Sequence, residues 1–283
     1  MGVGAVTYMR QEVLDVTALE RDLAHDKVGF KMAFKICDHH IGKHSCAKAA
    51  YLKGLLHSGY YCGHINWEKA RKLFEFAAEK NDTDSIRELS VMYFLGKRAW
   101  AKSRIAVDIT DNEQLGLLQT RIKNILNTCP SPTEGLDYKR SFQLLNDGIR
   151  LHPEDGLMQL YFGQHYEFGC GTDIDYKMAL DRYEESFRMG QKTALDYICG
   201  MYIGEKGCDL KSEDALRWFT LAQSTNRTFS KIYVAKLYEA RGDFPLAHKL
   251  CYEHISETRD NQYLKMLNEL TAKKDPPHNA VAV

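Results

Sequence analysis

Apolar positions along this chain recur with a helical period, and the whole pattern then recurs with a longer one. Leu195, Ile198 and Tyr202 mark one helical face; after a glycine-containing turn, Ala215, Trp218, Phe219 and Ala222 fall at i, i+3, i+4 and i+7, a wide apolar stripe. The preceding stretch superimposes on this one at an offset of 36 residues, placing Tyr166 on Tyr202, Gly171 on Gly207 and Ala179 on Ala215. Self-similarity at that period is the mark of a repeat architecture. Upstream, Ala70 takes the place of Ala215, Gly54 that of Gly163 and Tyr93 that of Tyr166; downstream, Tyr238 and Ala247 continue the frame with a shortened turn. Each unit reads as two helices joined by a reversal in which glycine supplies the backbone freedom. The expected fold class is all-α.

Small residues at Gly54, Ser90, Gly163, Cys199 and Ala235 share one aligned position, where a short side chain lets paired helices approach closely. Asp173 or Asp175 is placed to cap one second helix, and Ser212 the next. The frame predicts residues 46–256 as an array of about five units, preceded by capping helices over 1–45 and followed by a closing helix and tail over 257–283. The second unit is interrupted: its first helix is expected to end near Gly96, and its second does not begin until about Tyr138. Residues 97–137 are therefore an insertion, long enough to be expected as either a binding element or a mobile loop. Within it, the stretch from Asn112 to Cys129 carries its own amphipathic rhythm.

Composition narrows the function classes. The chain has 38 basic and 38 acidic residues in 283, so nothing demands a nucleic acid or an anionic membrane as partner. No segment approaches the roughly 20 apolar residues of a membrane helix, so no membrane insertion is expected. The N-terminus, MGVGAVTYMRQEV, has no basic stretch leading into an apolar run, and a cytoplasmic location is the expectation. The eight cysteines are then expected as thiols, with Cys199 and Cys208 the pair best spaced for an exception. No Walker loop, dinucleotide fingerprint, HExxH or GxSxG occurs, and no cofactor is expected.

The residues Phe162, Gly163, Tyr166, Gly169, Gly171 and Ala179, and again Ala194, Ile198, Tyr202, Gly207, Ala215, Trp218 and Ala222, follow a pattern that resembles the Sel-one-like repeat, a relative of the tetratricopeptide repeat. With looser copies on either side, the resemblance covers most of residues 45–256. It implies a right-handed α/α superhelical repeat solenoid, and a role as adaptor or scaffold in protein complexes, as is usual for such repeats.

A protein or peptide partner is therefore the expected ligand. Tyr161, Tyr197 and Tyr233 occupy one aligned position in three successive first helices. On a concave face they would form an aromatic ladder for an extended peptide, because rigid side chains lose little entropy on binding; turned inwards, they would pack between units. Gln164, His165 and Lys236 lie beside them in the frame as candidate polar contacts.

Two rival readings carry chemistry. In CDHHIGKHSC, the residues Cys37, His40 and His44 fall on one helical face, and Cys46 could complete a zinc set. Four ligands on a nearly continuous helix lack the chain reversal that wraps an ion, so packing is the expected role. Cys170 lies between two glycines with His165 upstream, the ingredients of a thiol nucleophile and its base, although the repeat already requires a glycine-rich turn there. The insertion offers a further alternative, self-association into a structural oligomer.

Overall fold

Short polar side chains start most of these helices. Asn66 Oδ1 accepts from Lys69 N at 3.0 Å, while Asp137, Asp155 and Asp175 accept from the backbone of Arg140, Met158 and Met178 at 2.9 Å each. Ser212 Oγ accepts from Ala215 N at 3.1 Å, and Asp243 from Leu246 N at 3.2 Å. Each bond satisfies an amide that the first helical turn leaves without a partner. Of the two aspartates read as capping candidates, Asp175 is the cap.

The computed structural model describes residues 16–24, 29–58, 66–103, 133–225, 230–259 and 261–274. Among these the chain is all-α, with thirteen α-helices and one short 3-10 turn. It divides into two compact units, Met1–Glu154 with Cys170–Asp173, and Asp155–Gly169 with Ile174–Val283.

In the first unit, α1 (Val16–Ala24) and α2 (Phe30–His44) precede two helix pairs. The first pair is α3 (Ala47–His57) with α4 (Trp67–Ala78), and the second is α5 (Thr83–Ser103) with α6 (Tyr138–Leu151). Each helix packs on its neighbours in chain order, and α1 also touches α3. The second unit holds three pairs and a closing helix: α7 (Gly156–Phe168) with α8 (Tyr176–Arg188), α9 (Ala194–Ile203) with α10 (Glu213–Ser224), α11 (Ser230–Arg241) with α12 (Phe244–Thr258), and then α13 (Leu264–Lys274). Here too successive helices pack together, and the first helices α9 and α11 lie side by side. The α/α repeat pattern read from the spacing is the architecture observed.

The repeat frame reappears as burial. Ala70, Ser141, Ala179, Ala215 and Ala247 are fully buried, as are Phe74, Leu145, Tyr183, Phe219 and Cys251 one helical turn later. The small residues of the first helices, Gly54, Ser90, Gly163, Cys199 and Ala235, are all buried as well. A Cβ on Gly54 would come within 2.4 Å of the Phe74 ring, and Ser141 Oγ donates to Ser90 O at 2.8 Å.

The first helix of the second pair is broken at Gly96, whose φ of 70° and ψ of 168° are not helical, and a further helical stretch runs on to Ser103. The continuation is held by Trp100, which is fully buried edge-on to Trp67 at 5.2 Å. The insertion leaves and returns through a closed neck: Lys97 N donates to Glu134 O at 2.7 Å, Lys97 Nζ pairs with Glu134 Oε1 at 2.8 Å, and Asp137 N donates to Tyr93 O at 2.9 Å. The amphipathic stretch from Asn112 lies outside the described residues.

Candidate functional site

The helix α9 has two faces. Leu195, Ile198, Cys199 and Tyr202 are buried between helices, whereas Thr193, Asp196, Tyr197 and Gly200, at i, i+3, i+4 and i+7, line a cavity. That cavity, of about 720 Å³, lies wholly within the second unit. The helix α7 contributes Leu157, Leu160, Tyr161 and Glu167, the turn after α9 contributes Lys206, and α11 contributes Tyr233. The three tyrosines 36 residues apart thus line one space.

Each of the three is half-buried, and two of them rest on a second-helix aromatic. The Tyr197 ring lies 5.1 Å from that of Tyr183 at 31°, and the Tyr233 ring lies 6.5 Å from that of Phe219 at 89°. Tyr183 and Phe219 are themselves aligned and fully buried, so these ladder rings are held by packing on one side and line the cavity on the other. Burial raises the Tyr197 phenol, and a hydrogen bond with Gln164 opposes that shift. The Tyr197 hydroxyl is therefore a neutral hydrogen-bonding group at physiological pH.

One end of the cavity is fixed by a buried carboxylate. Glu167, 8% exposed, accepts from the Tyr183 hydroxyl at 2.6 Å on one oxygen and from Lys206 Nζ at 2.6 Å on the other. The Lys206 ammonium also lies 5.3 Å from the Phe168 ring centroid. Asp196, Glu167 and Lys206 are the charged residues of the lining, and none of them stood out in the repeat frame. Of the polar contacts expected beside the tyrosines, Gln164 is half-buried against Tyr197, and Lys236 is half-buried on α11 outside the lining. His165 is 1% exposed, beyond the reach of a molecule laid along the surface.

The two chemical rivals find no assembled centre. Cys37 is fully buried with its thiol pushed up to about 12 by desolvation, His40 is buried, His44 is exposed at the end of α2, and Cys46 begins α3. The His40 and His44 rings lie 5.8 Å apart, but among the described residues no group of three or more His, Cys, Asp or Glu is placed to hold a metal ion. The Cys170 thiol is raised by burial, opposite to an activated nucleophile. Cys199 and Cys208 are both free thiols. Among the described residues no helix is long and apolar enough to cross a membrane.

No family model and no curated protein matches the chain. Among solved structures, it is similar to a Sel1 repeat protein from Oxalobacter formigenes, with a TM-score of 0.60 and 14% identity over 92% of each chain. It is also similar, with a TM-score of 0.42 and 17% identity, to a protective antigen present in uropathogenic Escherichia coli strains and displaying an SLR fold; that match spans 94% of this chain and 62% of the other. The first likeness agrees with the helix pairing described above: the fold is that of Sel1-type, tetratricopeptide-like α/α repeat proteins.

Proposed function

We propose that the chain is a non-enzymatic adaptor or scaffold, which binds a peptide segment of a partner protein across α7, α9 and α11. The observation that carries this reading is that Tyr161, Tyr197 and Tyr233, one residue from each of three successive first helices, line a single cavity. A half-buried tyrosine backed by a buried ring presents a rigid, amphipathic surface, so little side-chain freedom is lost when a partner docks. A cavity walled by successive first helices suits a chain segment that runs from one repeat to the next. The type of fold, widely used for protein interaction, is in keeping with this.

The test is a comparison of the intact chain with a variant carrying Tyr161→Ala, Tyr197→Ala and Tyr233→Ala, both shown to be folded by circular dichroism and thermal melting. A photoreactive residue at position 197 should cross-link in native lysate to a partner that the triple variant fails to retain, whereas the same probe at position 217, exposed on α10, should not. Equal recovery of that partner by the triple variant would remove the cavity from the binding surface.

A further inference from the structure

The second helices of the first unit carry a surface of their own, apart from the cavity. Each has a buried small residue: Ala33 on α2, Ala70 on α4 and Ser141 on α6. Lys31 and Lys139 lie two residues before that position, Lys69 and Arg140 one before it, and Lys35 and Lys72 two after it, and all six are exposed. None of the six makes an ion pair among the described residues. The exposed carboxylates of these helices do not neutralise them: Asp38 pairs with Lys53, Glu68 with Arg71, and Asp147 has the exposed Arg150 on the same helix.

This arrangement works against the helices that carry it. Lys31, Lys69, Lys139 and Arg140 stand in the first turn of their helices, where the positive end of the helix dipole repels a cation. Lys31 with Lys35, and Lys69 with Lys72, add like-charge repulsion at one-turn spacing. The second unit avoids both costs at the same frame positions. There Glu213 and Asp214 open α10, Arg217 pairs with Asp214 at 3.3 Å, and Glu213 pairs with Arg241 at 3.4 Å. In a chain with 38 residues of each sign, a face kept positive against its own helices points to a partner of opposite charge.

The character of the cations narrows that partner. Lysine prevails over arginine, so the face offers point charges on flexible stems in place of the planar forks that suit phosphate. Large apolar side chains exposed on these helices, Phe30, Tyr138 and Leu151, stand at helix ends, and form no stripe that could enter a bilayer. Carboxylates along a flexible chain require only charge and reach. We propose that the second-helix face of the first unit docks an acidic segment of a partner protein, rich in glutamate and aspartate, across α2, α4 and α6.

Fluorescence anisotropy with labelled polyglutamate, on the full chain at physiological ionic strength, tests this. The native chain should bind the probe, and added salt should weaken the binding. A variant carrying Lys31→Glu, Lys35→Glu, Lys69→Glu and Lys72→Glu should bind at least about tenfold more weakly, whereas Lys177→Glu with Lys249→Glu, in the second unit, should leave binding unchanged. Reversal at Lys31 and Lys69 favours the helix dipole, so the melting temperature should not fall; the four matching glutamine substitutions give a second, milder loss. The Tyr161→Ala, Tyr197→Ala and Tyr233→Ala variant should retain the probe in full, which separates this surface from the cavity. Equal binding by the glutamate variant, no binding by the native chain, or tighter binding of duplex DNA or of phosphatidylserine vesicles than of polyglutamate would each overturn the proposal.

Discussion

Gly163 lies directly beneath the ring of Tyr183: a Cβ at that position would stand 2.5 Å from Cε1 and 3.2 Å from the carbonyl oxygen of Ala179. A glycine-to-alanine change inside a helix ordinarily favours folding by up to about 1 kcal/mol. Here the sign reverses, because the methyl must displace a fully buried ring. Gly163→Ala is expected to destabilise the chain by about 1–3 kcal/mol, and Gly54→Ala, facing Phe74, to behave alike. Gly200→Ala, with open space above it, should instead be neutral or stabilising. Urea denaturation of the three variants reads all of these signs.

The same Tyr183 donates to Glu167, whose second oxygen accepts from Lys206. Removing the ammonium leaves a nearly buried carboxylate with one donor. Lys206→Met is expected to cost roughly 1–3 kcal/mol, and adding Glu167→Gln to that variant should recover part of it, since the amide carries no charge to strand. A double-mutant cycle measured by urea denaturation gives the coupling; additive losses would show that the two side chains act independently.

Buried thiols make stability depend on alkaline pH. Burial pushes Cys199 from its ordinary 9.0 up to about 12, and Cys37 likewise to about 12. Between those limits the folded chain keeps a proton that the unfolded chain releases. This contribution to stability is therefore complete below pH 9 and is lost as pH rises towards 12, by about 1.4 kcal/mol per pH unit for each group. The free energy of unfolding should fall less steeply between pH 9 and 11 in Cys199→Ala than in the parent chain. Among the described cysteines, mass mapping after alkylation at neutral pH should find Cys37, Cys199 and Cys251 protected, all three being fully buried, and the half-buried Cys46 and Cys170 modified before them.

His254, 1% exposed, has neither ring nitrogen hydrogen-bonded and meets Tyr263 edge-on at 5.3 Å. Phenylalanine keeps the aromatic contact and removes the two desolvated nitrogens. His254→Phe is expected to raise stability by about 1 kcal/mol, visible as a higher melting temperature; a lower one would mean that the ring is held by polar contacts.

How far the sequence foretells this molecule depends on whether a feature repeats. The buried Ala179/Tyr183 and Ala215/Phe219 pairs and the small residues opposite them recur in the 36-residue frame, and comparison of the chain with itself finds them; the caps at Asp175 and Ser212 are legible from local residue type. The alignment of Tyr161, Tyr197 and Tyr233 was equally legible, but not whether a shared cavity lay beside them, since that depends on how neighbouring helices are rotated. Features that break the frame stayed hidden. Glu167 and Lys206 are 39 residues apart, off the repeat register, so no alignment pairs them. Trp100 lies beyond the glycine at which the helix breaks, and its burial against Trp67 follows from packing that the repeat frame does not contain. Gly200 is a lone glycine in a helical pattern and has no periodicity of its own.

The neck at Lys97 and Glu134 bears on how such a chain can change in length. Because the strand of chain that leaves and the one that returns are already joined by hydrogen bonds and an ion pair, the helix pair beneath does not register how many residues lie between them. For any segment closed by such a neck, doubling its length adds only about 0.6 kcal/mol of closure entropy. A change in the number of residues between the two sides of the neck is thus expected to cost little, because α5 and α6 keep their partnership below it.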